Sequence, residues 1–229
     1  MNLRRQARVA LGDYPNAIRM RGLGFAARVP AAYGSGSARP VVLLPGVYER
    51  WHFLRPIADA LSAAGHPVHV VRELGINARA IPASAARVLR VLDAADLRGV
   101  ALVAHSKGGL IGKAAMLDDT AGRIDRLVAV ATPFSGSRMA DLMVVPALRA
   151  FRPAHPVIRR LVAERAVNAR ITSIYPAFDP HIPEGSALDG ATNVQLDVVG
   201  HFRILEDAAA IAAVVRAVAA PPALTAAAG

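Results

Sequence analysis

The chain has 229 residues, a formal charge of +10 and no cysteine. A single domain of that length buries roughly 70–75% of its unfolded surface and needs no staple. The missing cysteines exclude disulfides and thiolate metal sites and suit a reducing compartment, here expected to be the cytoplasm. No apolar run reaches the roughly 18 residues of a membrane-spanning helix, and Asp13, Pro15, Asn16 and Arg19 interrupt any signal-peptide core.

Residues 1–39 read as a basic, partly irregular leader. Arg4, Arg5, Arg8, Arg19, Arg21, Arg28 and Arg39 face a single acid, Asp13. Such an arm could make a weak peripheral contact with anionic lipid, although the simpler reading is a solvated leader. No basic stripe with interleaved aromatics marks a nucleic-acid partner. Tyr33-Gly34-Ser35-Gly36-Ser37 has the composition of a flexible linker.

The first buried strand is expected over 40–44, followed by the loop Pro45-Gly46-Val47-Tyr48-Glu49-Arg50-Trp51. Helical spacing of Phe53, Leu54, Ile57, Ala58 and Leu61 ends at Gly65. A strand follows over 67–71 and a helix over 82–95. The run Val100-Ala101-Leu102-Val103-Ala104-His105 is apolar almost throughout, as a strand buried on both sheet faces must be. A helix over 107–117 comes next, then strands over 126–131, 171–175 and 194–199 and a helix from Glu206 to about Ala219. The domain therefore spans 40–220, and 221–229 reads as a frayed tail. This alternation predicts an α/β fold with a mostly parallel sheet covered by helices on both faces. Residues 134–170 break the rhythm. With Leu142, Met143, Val144, Val145, Leu148 and Phe151 they predict a small apolar helical cap over the carboxyl ends of the strands. Packing of ordinary helices on the sheet is the alternative.

Ala104-His105-Ser106-Lys107-Gly108 carries the chemistry. A serine on a sharp strand-to-helix turn needs small residues two positions to either side, because backbone segments approach there. Its hydroxyl becomes a nucleophile only with a base and an orienting acid. Asp179 follows the fifth strand and His201 the sixth, so the chain order is Ser, Asp, His. Rival acids are Asp189, Asp197 and Glu184. His181 is a rival base, better placed to flank the acid than to reach the serine. His105 reads as a packing or hydrogen-bonding residue, and His52 as a candidate for the pocket wall. His66 and His69 would point to opposite sides of a strand and cannot share a metal. No metal site and no cofactor are expected.

Over about residues 40–220 the chain resembles the α/β-hydrolase fold family, of the bacterial lipase and esterase type. The likeness is carried by Leu44-Pro45-Gly46-Val47, Ala104-His105-Ser106-Lys107-Gly108-Gly109, Thr132-Pro133-Phe134-Ser135-Gly136-Ser137, Asp179 with Ile182-Pro183, and Gly200-His201-Phe202. The resemblance implies that Ser106 is the nucleophile, His201 the general base and Asp179 the orienting acid. The N–H groups of Lys107 and Val47 would form the oxyanion hole, with Tyr48, Trp51 and Phe134 lining the substrate pocket. It implies a serine hydrolase acting on small-molecule or lipid esters through an acyl-enzyme. The same groups would serve an acyltransferase, thioesterase or amidase, and the fold could also be a non-catalytic binding module. Three positions depart from the family pattern. Pro45 stands where many relatives have histidine, Phe134 where lipases often have histidine, and Lys107 where methionine or glutamine is common. The Lys107 side chain is expected to favour an anionic substrate or to point into solvent.

Overall fold

The computed structural model describes residues 28–142 and 144–221. Arg4, Arg5, Arg8, Arg19 and Arg21 of the basic leader, and the tail beyond Pro221, lie outside the described residues. Among the described residues, six strands form one all-parallel sheet: β1 (Val41–Leu44), β2 (Val68–Val70), β3 (Val100–His105), β4 (Ile124–Val130), β5 (Ile171–Phe178) and β6 (Thr192–Val199). Their spatial order is β2-β1-β3-β4-β5-β6. No helix among the described residues is long and apolar enough to cross a membrane.

The near-continuous apolar strands are explained by helices on both sides. Val42, Leu44, Leu102, Ala104, Leu127 and Ala129 point into one core, under α2 (Ile81–Ala94), α3 (Lys107–Asp118) and α5 (Pro156–Ala163). The alternate residues Val41, Leu43, Ala101, Val103, Val128 and Val130 point into the other, under α1 (Arg55–Ala63) and α6 (Ala208–Ala219). Period-two alternation thus exists, but both phases are apolar. Proline in the first turns of α1, α2 and α5 sets φ where no intrahelical donor is needed. Asp207 caps α6 by accepting from the Ala210 N–H at 2.9 Å.

Strand order reverses between β1 and β3. At such a switch point the loops leaving the two strands diverge to opposite faces and open a crevice at the carboxyl ends. Those loops are residues 45–50 after β1 and the Ser106 turn after β3.

Two expectations change. Residues 30–39 are not a free linker. Tyr33 is 2% exposed, its hydroxyl bonds Asp59 on α1 at 2.5 Å, and its ring meets Trp51 edge-on at 5.9 Å. Arg39 pairs with Asp125 at 3.1 Å and donates to the Val218 and Ala220 carbonyls. The segment from 134 to 170 is also not one cap. Its second half is the crossover helix α5, whose Ile158 and Leu161 are buried in the core beside α3. Its first half includes the short helix α4 (Pro146–Arg149) and stays near the carboxyl edge. There the Ser137 hydroxyl donates to the His181 carbonyl at 2.7 Å and Arg138 pairs with Glu184 at 2.7 Å. Leu142 and Val144, 74% and 88% exposed, point away from the core.

Candidate active site

Ser106 sits between β3 and α3 with φ 51° and ψ −119°. A non-glycine residue in such a region costs about 1–3 kcal/mol, which the surroundings must offset. Three contacts hold it. The Ser106 N–H donates to Val130 O at 2.9 Å, its carbonyl accepts from Gly109 N at 3.0 Å, and the same carbonyl accepts from the Thr132 hydroxyl at 3.0 Å. The glycines behind it are demanded by proximity. A Cβ on Gly108 would lie 2.0 Å from Leu44 O, and one on Gly109 would lie 2.1 Å from the Thr132 hydroxyl. Helix α3 can therefore pack directly against β1 and β4, with its N-terminus at the serine, where backbone N–H groups favour developing negative charge.

The loop after β1 turns at Gly46–Glu49, closed by Glu49 N to Gly46 O at 3.3 Å, with Tyr48 at φ 58°. Among the described residues, no acceptor pairs with the backbone N–H of Val47 or of Lys107. Both remain available as donors.

Asp179 follows β5 and is 5% exposed. Its Oδ1 accepts from the N–H groups of His181 at 2.8 Å and Ile182 at 3.2 Å, and its Oδ2 faces His201 Nδ1 at 2.7 Å. Burial alone would push this carboxyl up. The facing His201, its hydrogen bond and the His181 N–H outweigh burial and hold Asp179 below its ordinary value. The bond fixes a hydrogen on Nδ1 of neutral His201 and leaves Nε2 as the basic nitrogen. The His201 ring is wedged against His105 at 4.7 Å, His181 at 4.8 Å and Phe202 at 5.1 Å. The rival acids are elsewhere: Asp197 and Asp189 are exposed, the latter paired with Arg165, and Glu184 is taken by Arg138. His181 flanks the acid, with its ring nitrogen 3.9 Å from Asp179 Oδ1.

The fold can be set beside known proteins. No protein-family model matches the chain, and no curated protein matches it. Solved structures do. Aspergillus fumigatus lipase B superposes with a TM-score of 0.66 at 19% identity, covering 85% of this chain and 56% of the lipase. The monoacylglycerol lipase of Paleococcus ferrophilus gives 0.61 at 16%, over 81% of this chain and 96% of that one. The enol-lactonase of Burkholderia xenovorans gives 0.55 at 18%, over 81% and 93%. The chain has the α/β-hydrolase fold. It spans little more than half the length of the fungal lipase.

Within this fold the expected pocket residues separate. Tyr48 stays half-buried at the turn after β1. Trp51 leans on Tyr33 and the second core. Phe134 is 2% exposed inside the first core, and its N–H bonds back to Thr132 O at 3.0 Å. His52 is buried and tilted on Phe53 at 5.0 Å. Lys107 overturns both readings of its side chain. It is 1% exposed and its ammonium donates to Asn77 O at 2.7 Å and to the Arg79 carbonyl. Asn77, at φ 51°, donates in turn to Pro45 O at 2.7 Å. The lysine is a tie between α3 and the 75–80 loop, and through Asn77 it reaches the loop after β1.

Glu49 was hidden in the sequence. It is 2% exposed, accepts from the Gly46 N–H at 2.7 Å, and contacts His105 Nδ1 at 2.9 Å. One signal pointed to it: His105 is a polar side chain inside an apolar strand, and such a group needs a buried partner. Asp179, His181 and His201 also bring possible ligand atoms within 4.8 Å of one another. A cation there would have to displace the Asp179–His201 bond, and Asp179 Oδ1 already accepts two N–H groups. The donor set fits an acid–base pair better than a metal.

Proposed function

We propose that the chain is a serine hydrolase of carboxylic esters, with Ser106 as nucleophile, His201 as general base and Asp179 as orienting acid. The observation that carries this is the buried 2.7 Å Asp179–His201 bond after β5 and β6, taken with a serine held at positive φ on the turn after β3. His201 Nε2 takes the hydroxyl proton as Ser106 attacks the acyl carbonyl. The Val47 and Lys107 N–H groups hold the tetrahedral oxyanion, the first from a turn and the second from a helix start. The alcohol leaves with the proton from His201, and water, activated by the same base, releases the acid. Lipases and a lactonase among the structural neighbours support ester chemistry. The peripheral lipid contact of the basic leader is a separate proposal, read by salt-sensitive binding to anionic vesicles that is lost on deleting residues 1–27.

The test uses a p-nitrophenyl ester series and a fluorophosphonate probe. Wild type is expected to hydrolyse the short esters and to be labelled at Ser106. Ser106→Ala and His201→Ala are each expected to lose on the order of 10⁶ in kcat. Equal turnover in wild type and Ser106→Ala would remove the serine from the mechanism. Product partition between water and an added alcohol separates hydrolysis from acyl transfer.

A further inference from the structure

Glu49 and His105 form a buried bridge that the hydrolytic steps above do not use. Its geometry is closed at every atom. Glu49 Oε2 accepts from the Gly46 N–H at 2.7 Å, immediately before the Val47 donor. The Glu49 oxygens lie 2.9 and 3.0 Å from His105 Nδ1, and His105 Nε2 lies 3.1 Å from the His201 carbonyl. That carbonyl can only accept, so Nε2 must carry hydrogen. A single proton then lies between Nδ1 and the carboxylate. Both side chains are almost wholly enclosed, His105 at 0% and Glu49 at 2% exposure. Gly46 leaves room for the carboxylate, since a Cβ there would fall 2.4 Å from Glu49 Oε1.

We propose that Glu49 and His105 are positioning residues that brace the oxyanion loop against the backbone of the general base. The inference rests on the hydrolase reading and deepens it. His105 precedes the nucleophile in the chain, Glu49 grips the loop that carries Val47, and the far side of the imidazole holds His201 at its carbonyl. His201 is thus held at its ring by Asp179 and at its backbone by His105. The second hold matters because Gly200, at φ 115°, leaves the turn before His201 with few intrinsic constraints. Without the bridge, Val47 and His201 lose their common reference. Misplacement by about 1 Å at such a centre costs about 10²-fold in rate.

The experiment compares wild type, Glu49→Gln and His105→Gln on p-nitrophenyl acetate, with the fluorophosphonate labelling rate and Tm measured on the same samples. Both variants are expected to lose about 10²-fold in kcat and in labelling rate, as on loss of one oxyanion donor, with KM little changed. A raised KM with kcat unchanged, or no change in either, would overturn the brace. Should the variants not fold, 15N-histidine-labelled wild type reads the bridge directly. The His105 Nε2–H is expected as an exchange-protected proton, and free exchange at that nitrogen overturns the assignment. A wild type that neither turns over nor labels sinks the hydrolase reading together with the brace's purpose. An active wild type with an unaffected Glu49→Gln sinks the brace alone.

Discussion

Lys107 shows how the backbone and side chain of one residue can sit in different surroundings. Its N–H opens helix α3 without an acceptor, and its ammonium is buried among the Asn77 and Arg79 carbonyls, with no acid partner among the described residues. Burial lowers its pKa to about 8. The sign follows from proton counting. Between about 8 and the unfolded value of roughly 10.4 the unfolded chain binds more protons than the folded one, so stability rises with pH through that window. Lys107→Met is expected to cost about 1–3 kcal/mol at pH 7, because two buried carbonyls lose their donor. In urea titrations at pH 8–10 wild type should gain on the variant, and a difference independent of pH would refute the assignment. The place of Lys107 at the start of α3 was legible in the sequence, because the small residues around Ser106 mark the strand-to-helix turn. The side chain was not. A lysine after a serine is ordinarily solvated, and its partners lie about thirty residues earlier, in a loop with no motif. That His105 would need a hydrogen-bond partner was legible, but which one was not, because Glu49 and the His201 carbonyl lie 56 and 96 residues away along the chain.

At the scale of elements, the packing of α3 on β1 and β4 depends on Gly108, Gly109 and Gly112. A Cβ on Gly112 would reach Leu127 Cδ1 at 2.7 Å, where a flexible leucine can move. On Gly108 it would meet the Leu44 backbone at 2.0 Å, where nothing yields without parting helix from strand. Gly108→Ala is therefore expected to cost more than Gly112→Ala, with the former at or above the roughly 1–3 kcal/mol of an overpacked core. Thermal denaturation of the two variants checks the ranking. The elements themselves were readable almost throughout, because apolar runs bounded by turn residues have one economical solution, a doubly covered parallel sheet. The 134–170 segment was the exception. Its apolar residues divide between core and surface, and composition alone could not separate Ile158 and Leu161, which are buried, from Leu142 and Val144, which are not.

For the whole molecule, the boundary of the domain moves toward the N-terminus. Tyr33 fills the space between α1 and Trp51, and burial together with the nearby Asp59 raises its hydroxyl above the ordinary tyrosine value. Glycine and serine on its C-terminal side disguised it as linker, since an isolated aromatic in polar surroundings has no periodicity to reveal it. Tyr33→Ala should cost about 3 kcal/mol or more, in the range of large aromatic truncations. Removing residues 1–39 should lower Tm well below that of a chain lacking only residues 1–27, and equal Tm values would return the segment to the status of linker.

The all-parallel sheet also has a consequence in time. No strand pair can close by a hairpin, so every ladder waits for a crossover. Contacts between distant residues form late, because loop closure precedes any reward from them. His201 sits on the loop after β6, and bonds that seat it reach back to Asp179 and to His105. In refolding from urea, helical circular dichroism should therefore recover before Ser106 becomes reactive toward a fluorophosphonate. The chain would be largely folded before it is competent, and a vectorially synthesised copy would stay chemically silent until β6 had left the ribosome.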